Sequence, residues 1–155
     1  VKSAAPYCRP RVGFIRVNVT APEGFSWKTA KNTNGEGGEE GMADCIFCKI
    51  AAKEIPSQLV YEDEELVAFK DINPQAPVHV LIVPKKHIPH LLALDPADAD
   101  LLKRVHAAIS KLTRELGIAD SGFRVVVNTL KDGGQTVPHL HFHVLGGRFM
   151  NWPPG

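Results

Sequence analysis

The segment Pro138-His139-Leu140-His141-Phe142-His143-Val144-Leu145 sets three histidines at every second position. In a strand, successive side chains point to opposite faces. His139, His141 and His143 would then share one face, and Leu140, Phe142 and Val144 would take the other, the core side. Same-face neighbours lie ~7 Å apart, so three protonated imidazoles would repel one another. Some must be neutral near pH 7, and a neutral imidazole is a nucleophile, a base or a metal ligand. The plainer reading, three unrelated surface histidines, sits badly with strict alternation beside an apolar face.

Two chemistries remain open for such a run, zinc binding and covalent phosphoryl transfer. Just upstream, Asp132-Gly133-Gly134-Gln135-Thr136 can present backbone N–H groups and a hydroxyl to a phosphate. Alone it would be an ordinary turn. Beside three histidines it favours an anionic substrate. Cys45 and Cys48 form a Cys-x-x-Cys pair with spacing suited to zinc. The plainer reading is two reduced cysteines, one on the apolar face of a short helix. Three cysteines in all is an odd count, which argues against a disulfide framework and for a reducing compartment or a metal site.

The elements that must position these residues can be read in order. Asp44 is placed to cap a short helix through Cys45–Ala52, with Ile46, Phe47 and Ile50 on one face and Pro56 beyond its end. Leu59–Tyr61 and Leu66–Phe69 flank an acidic turn and read as a hairpin. Val78–Val83 is a β-branched run between prolines, hence a strand. Asp95 and Pro96 open a long helix whose apolar positions run from Leu101 to Leu116, and Gly117 ends it. His106 flanks that stripe and reads as a partly buried structural residue; His90 reads as surface. Phe123–Asn128 and His139–Leu145 are the last two strands. The sum is an α+β fold, an antiparallel sheet of about five strands with two helices.

With 155 residues the chain has room for one ordinary domain. A 44% apolar and 23% charged composition is that of a globular protein. A formal net charge of +1 gives little pull toward nucleic acid or membrane. No apolar run approaches the ~20 residues of a membrane span. Residues 1–43 stand apart from the domain expected over 44–155. Their stretch from Asn32 to Gly41 is polar and glycine-rich and reads as a disordered linker. The first 22 residues are basic and free of acidic side chains, as in an organellar transit peptide. The alternative is an extension without a role, with Met42 starting the domain. The expected location is intracellular and cytoplasmic, or an organelle if residues 1–41 are a transit peptide.

Taken together, the histidine run, Ile46–Ile50, Phe69–Pro77, His79–His87, Gly133–Thr136 and the tail Gly146–Gly155 resemble the histidine triad family, and within it the nucleotide-binding Hint branch. The resemblance covers residues 44–155 in order. It implies a homodimer that hydrolyses purine nucleoside phosphoramidates and related mixed anhydrides through a nucleotidyl-histidine intermediate. His141 would be the nucleophile, and His143 would hydrogen-bond phosphoryl oxygens or the leaving group. His79 would fix the catalytic imidazole, with His139 completing the triad. Asn128 and Thr136 would hold phosphate or leaving-group atoms. Asp71, followed by Ile72, matches the residue that accepts from the ribose hydroxyls, although before Pro74 it also reads as a turn aspartate. Ile46, Phe47, Ile50, Ile55, Phe69 and Leu81 match the purine cleft, and as apolar residues they equally read as core. Trp152, in the tail, would reach the partner's active site.

The resemblance also implies an optional structural zinc on Cys45, Cys48, His87 and His139, with no cofactor required for catalysis. Thr136 and Pro138 stand where better-known eukaryotic members carry serine and tyrosine, which bears on leaving-group preference. Two rivals stay open: a dinucleoside polyphosphate hydrolase and a nucleotide-binding regulator without turnover. The tail argues against the first and His141 against the second. No nucleic-acid partner is expected.

Overall fold

A computed structural model describes residues 44–153. The expectations for residues 1–43, and for Pro154 and Gly155, lie outside the described residues. Helix α1 is Ile46–Ala51 and the strands that follow are β1 (Leu59–Glu62), β2 (Leu66–Lys70) and β3 (Val78–Pro84). Two 3-10 turns, Leu91–Ala93 and Pro96–Asp98, lead into helix α2 (Ala99–Glu115), then β4 (Phe123–Val126) and β5 (Phe142–Gly146). The strands form one sheet in the order β1-β2-β3-β5-β4, and every pair is antiparallel. The α+β reading holds.

Strands β2 and β3 are almost continuously apolar because both of their faces are covered. On one face Leu66, Ala68, Val80, Ile82, Phe142 and Val144, with Leu140 just ahead of β5, pack against Leu101, Val105, Ala108 and Leu112 of α2. On the other, Val67, Phe69, Leu81 and Val83 pack against Cys45, Phe47 and Ile50. Each fully buried leucine of such a cluster stabilises the fold by roughly 1.5–3 kcal/mol. The second, smaller cluster carries the site, because α1 lies over the face from which the histidines project.

Local chemistry sets the joints. Asp63 closes the β1–β2 turn, its Oδ1 accepting from the N–H groups of Glu65 and Leu66 at 2.8 and 2.7 Å. Gly117 (φ +69) takes the left-handed step that stops α2, and the N–H of Ile118 closes on the Thr113 carbonyl at 2.9 Å. Ile118 then packs so close to β5 that a Cβ at Gly146 would stand 2.6 Å from its Cδ1.

Several expectations shift. Asp44 does not cap α1: Cys45 is the N-cap residue without a side-chain bond, and Asp44 pairs with Lys49 at 3.5 Å. Asp95 accepts from Ala97 N–H at 2.7 Å and so caps the 3-10 turn that leads into α2 rather than α2 itself. His106 is exposed, because it falls on the outer side of the helix stripe. His90 is half-buried, with an Nδ1 that is buried and unpartnered among the described residues. Strand β4 ends at Val126, short of Asn128. Most consequentially, β5 begins at Phe142, so His139 and His141 precede the strand. The N–H of Leu140 goes to the Ile88 carbonyl at 2.5 Å instead of to β3. The inward alternation of Leu140, Phe142 and Val144 survives, but the histidines are freed from strict strand geometry and diverge. Among the described residues no helix is long and apolar enough to cross a membrane.

Candidate active site

The three histidines of the run do different things. His139 is fully buried, and its Nε2 lies 2.8 Å from the Pro84 carbonyl oxygen. A carbonyl only accepts, so Nε2 carries the proton and Nδ1 the lone pair. That Nδ1 lies 3.3 Å from Cys45 Sγ and 3.5 Å from Cys48 Sγ, and Cys48 Sγ lies 3.3 Å from His87 Nδ1. The four ligand atoms are all within 4.8 Å of one another. Zinc–sulfur and zinc–nitrogen bonds of ~2.3 and ~2.05 Å at the tetrahedral angle put S and N ~3.6 Å apart. These three contacts are therefore already near the edge lengths of a Cys2His2 zinc site. Burial and the neighbouring Cys45 push the Cys48 thiol up to about 11, so a thiolate there needs a cation to support it.

His141 is almost fully buried, and its Nδ1 lies 2.7 Å from the His139 carbonyl. Again the carbonyl fixes the tautomer: Nδ1 holds the proton and Nε2 keeps its lone pair. The ring packs edge-on against Phe47 at 5.2 Å and against His143 at 4.9 Å between centroids.

His143 ends a second chain. The Gln75 N–H donates to His79 Nδ1 at 3.1 Å, so a neutral His79 carries its proton on Nε2. That nitrogen faces His143 Nδ1 at 2.9 Å and Asp71 Oδ2 at 3.4 Å. His143 Nδ1 must then accept, which leaves an N–H on its Nε2, buried and without a partner among the described residues. Burial first, then the neighbouring imidazoles, lower His143 to about 4, and burial also lowers His79, opposed by Asp71. Both rings are neutral near pH 7. Asp71, His79 and His143 also cluster tightly enough for a metal. The Gln75 N–H argues against one, because it occupies the Nδ1 lone pair and forces the proton onto the nitrogen a metal would need. The trio is a hydrogen-bond chain that ends on a free donor.

Beside the histidines opens a cleft of about 670 Å³. Ile46, Phe47, Ile50, Ile55, Phe69, Leu81, Asp71 and Ile72, all singled out in the sequence, line it, as does His79. The two readings of the apolar set coincide: Phe47, Ile50, Phe69 and Leu81 are buried core and cleft wall at once. Asp71 is a turn aspartate, its Oδ1 accepting the Asn73 N–H at 2.8 Å, and its Oδ2 lies 3.4 Å from His79 Nε2 at the cleft.

The HIT domain family model matches residues 52–150. The chain belongs to the HIT domain family. An uncharacterised HIT-like protein of Synechocystis is 53% identical over 112 residues, which cover 72% of this chain and 97% of that protein. A HIT family hydrolase from Legionella pneumophila superposes with a TM-score of 0.71 at 48% identity, over 72% of this chain and all of the other. A zinc-bound histidine triad family protein from Mycobacterium smegmatis does so with a TM-score of 0.60 at 32% identity, over 69% and 77%.

Some expected residues of this HIT domain stand apart from the cleft. Asn128 is half-buried and Thr136 exposed on the loop before the run, and neither lines the cleft. Trp152 is 84% exposed and also outside it. Other contributors escaped the sequence reading. Gln135 clamps the loop: its Oε1 accepts from Leu130 N–H at 2.9 Å, and its Nε2 donates to the carbonyls of Pro89 (2.6 Å) and Val137 (2.9 Å). The carbonyls of Pro84 and His139 and the N–H of Gln75 choose the tautomers. Backbone groups leave no mark in residue type, so no spacing could have revealed them.

Proposed function

We propose that this chain is a purine nucleoside phosphoramidase of the Hint branch, a nucleotide hydrolase that works through a nucleotidyl-histidine intermediate. The observation that carries the reading is the His141 Nδ1–H···O=C bond to His139, which keeps the Nε2 lone pair for attack. His141 Nε2 would bond to the α-phosphorus as the P–N bond breaks. The departing nitrogen would leave as the amine with its proton taken up from solvent, hydrogen-bonded by His143 Nε2–H, while His79 Nε2–H, 2.9 Å from His143 Nδ1, holds His143 in that tautomer. Water would then attack the phosphorus as the P–Nε2 bond to His141 breaks, give its proton up to solvent and release the nucleoside monophosphate. Donors aimed at the phosphoryl oxygens supply much of the acceleration in such chemistry. The unpartnered His143 N–H, Thr136, Asn128 and the loop amides are the candidates. The apolar cleft fits a purine, and Asp71 the ribose hydroxyls. The Legionella relative, named a hydrolase, supports turnover over a purely regulatory role.

We further infer a structural zinc on Cys45, Cys48, His87 and His139. The Mycobacterium relative is zinc-bound, and the fit of the four ligand atoms supports the same here. Zinc would tie α1 to the segment carrying His139, and His139 would then serve the metal rather than the chemistry. A homodimer is the remaining part of the reading. It is supported by the outer edge of β4, which no described strand pairs and which exposes Phe123 and Val125.

Steady-state rates with adenosine and guanosine phosphoramidates, set against a dinucleoside polyphosphate, test the proposal. Preferential cleavage of the phosphoramidates is expected. Faster cleavage of the dinucleoside polyphosphate would move the chain to another branch, and binding without turnover would make it a regulator.

A further inference from the structure

Arg148 is exposed and lies beyond the last strand, yet its guanidinium grips the loop between β2 and β3. Its Nε and Nη2 both donate to the Gln75 carbonyl, at 3.2 and 3.0 Å, while Nη1 donates to Phe149 O at 3.0 Å. Gln75 is the residue whose own N–H reaches His79 Nδ1 at 3.1 Å, and His79 Nε2 meets His143 Nδ1 at 2.9 Å. A path of contacts therefore runs, through the backbone of Gln75, from a solvent-facing cation to the half-buried imidazole at the end of the triad. The backbone reinforces it. Gly147 sits at φ +85, and a Cβ there would stand 3.0 Å from Pro77 Cβ, so the chain just ahead of Arg148 lies against the same loop.

We propose that Arg148 is a positioning residue for the His79–His143 pair. By holding the Gln75 carbonyl it keeps the Gln75 N–H on His79 Nδ1, and that one donor fixes the tautomers of both rings. The physical need is clear. Neutral imidazole has two tautomers, and only Nε2–H on His79 makes His143 Nδ1 an acceptor and leaves a free donor on His143 Nε2. Of the other bonds of the loop, Asn73 N–H to Asp71 and Gln75 Nε2 to Asn73 O lie within it and Asp71 N–H to His79 O closes it on β3, so none of them joins Gln75 to the segment after β5. Arg148 supplies that tie with a charge-assisted fork on a single carbonyl.

The kinetic part of the test rests on the phosphoramidase reading, whereas the spectroscopic part does not. Long-range proton–nitrogen NMR of the full chain should show His79 and His143 protonated on Nε2. In Arg148→Met both signals should move toward a mixture of tautomers, and kcat should fall about tenfold to a hundredfold with little change in KM. The melting temperature should barely move, since the side chain is exposed. Arg148→Lys, which keeps a cationic donor at the carbonyl, should recover much of both effects. If Arg148→Met does not fold, Arg148→Gln is read in the same way. Unchanged tautomers in the variant would overturn the proposal, as would a loss confined to KM. Failure of the wild type to cleave phosphoramidates would sink the proposed function alone, because the tautomer shift is read without turnover.

Discussion

His141 Nδ1 lies 2.7 Å from the carbonyl oxygen of His139, two residues back along its own chain. The bond is local, and it decides which nitrogen of His141 is reactive. It also joins the candidate nucleophile to a residue whose ring is committed to the cysteine–histidine cluster. The cysteine–histidine cluster and the proposed nucleophile are thus separated by one peptide carbonyl.

His141→Ala should lower turnover by several orders of magnitude while nucleoside monophosphate binding survives, because the cleft and Asp71 are untouched. His143→Ala should be damaging but leave measurable chemistry. Rapid quench with a labelled phosphoramidate should trap an acid-labile adduct on the wild type and none on His141→Ala. Near wild-type turnover in His141→Ala, with the adduct on another histidine, would refute the assignment.

Protein purified without added zinc should carry close to one equivalent per chain by metal analysis. Zinc binding must displace the Cys48 proton, so affinity should rise with pH. Chelation should lower the melting temperature by several degrees, at roughly 2–8 °C per kcal/mol of lost stabilisation. Cys48→Ser should abolish the chelator's effect. A metal-free protein that gains no stability when zinc is supplied would remove the site.

Stability should depend on pH through the buried imidazoles. His143 titrates near 4 in the folded chain against 6.5 ordinarily, and His79 is lowered too. Between those values the unfolded chain binds protons that the folded chain refuses. The stabilisation is therefore complete above about pH 6.5 and is lost as pH falls toward 4. Denaturant midpoints of His143→Gln should show a flatter decline across that window, by less than one proton. Parallel declines for variant and wild type would mean that His143 does not contribute.

Light scattering at micromolar concentration should give a dimer. Placing a charge on the free edge, as in Val125→Lys, should shift the protein toward monomer. Removing residues 149–155 should alter the substrate profile, as expected if Trp152 serves the partner's cleft. A monomeric wild type would refute the assembly.

Much of this protein is decided by its sequence alone. The alternation of Leu140, Phe142 and Val144 against the histidines, the stop at Gly117, and the two-sided apolar runs of β2 and β3 are short-range patterns, and pattern fixes face and element type. The cleft-lining residues were equally legible, because core and cleft wall demand the same apolar chemistry. What the sequence left open was the division of labour among like residues. His139, His141 and His143 are the same residue at the same spacing. One ring turns to Cys45 and Cys48 from 91 or more positions away, and another meets His79 across 64. Only the tertiary structure brings the carbonyls of Pro84 and His139, and the N–H of Gln75, against those rings. Each carbonyl or N–H selects one of two tautomers, so backbone groups that carry no residue identity determine which nitrogen of each imidazole keeps its lone pair and which carries the proton.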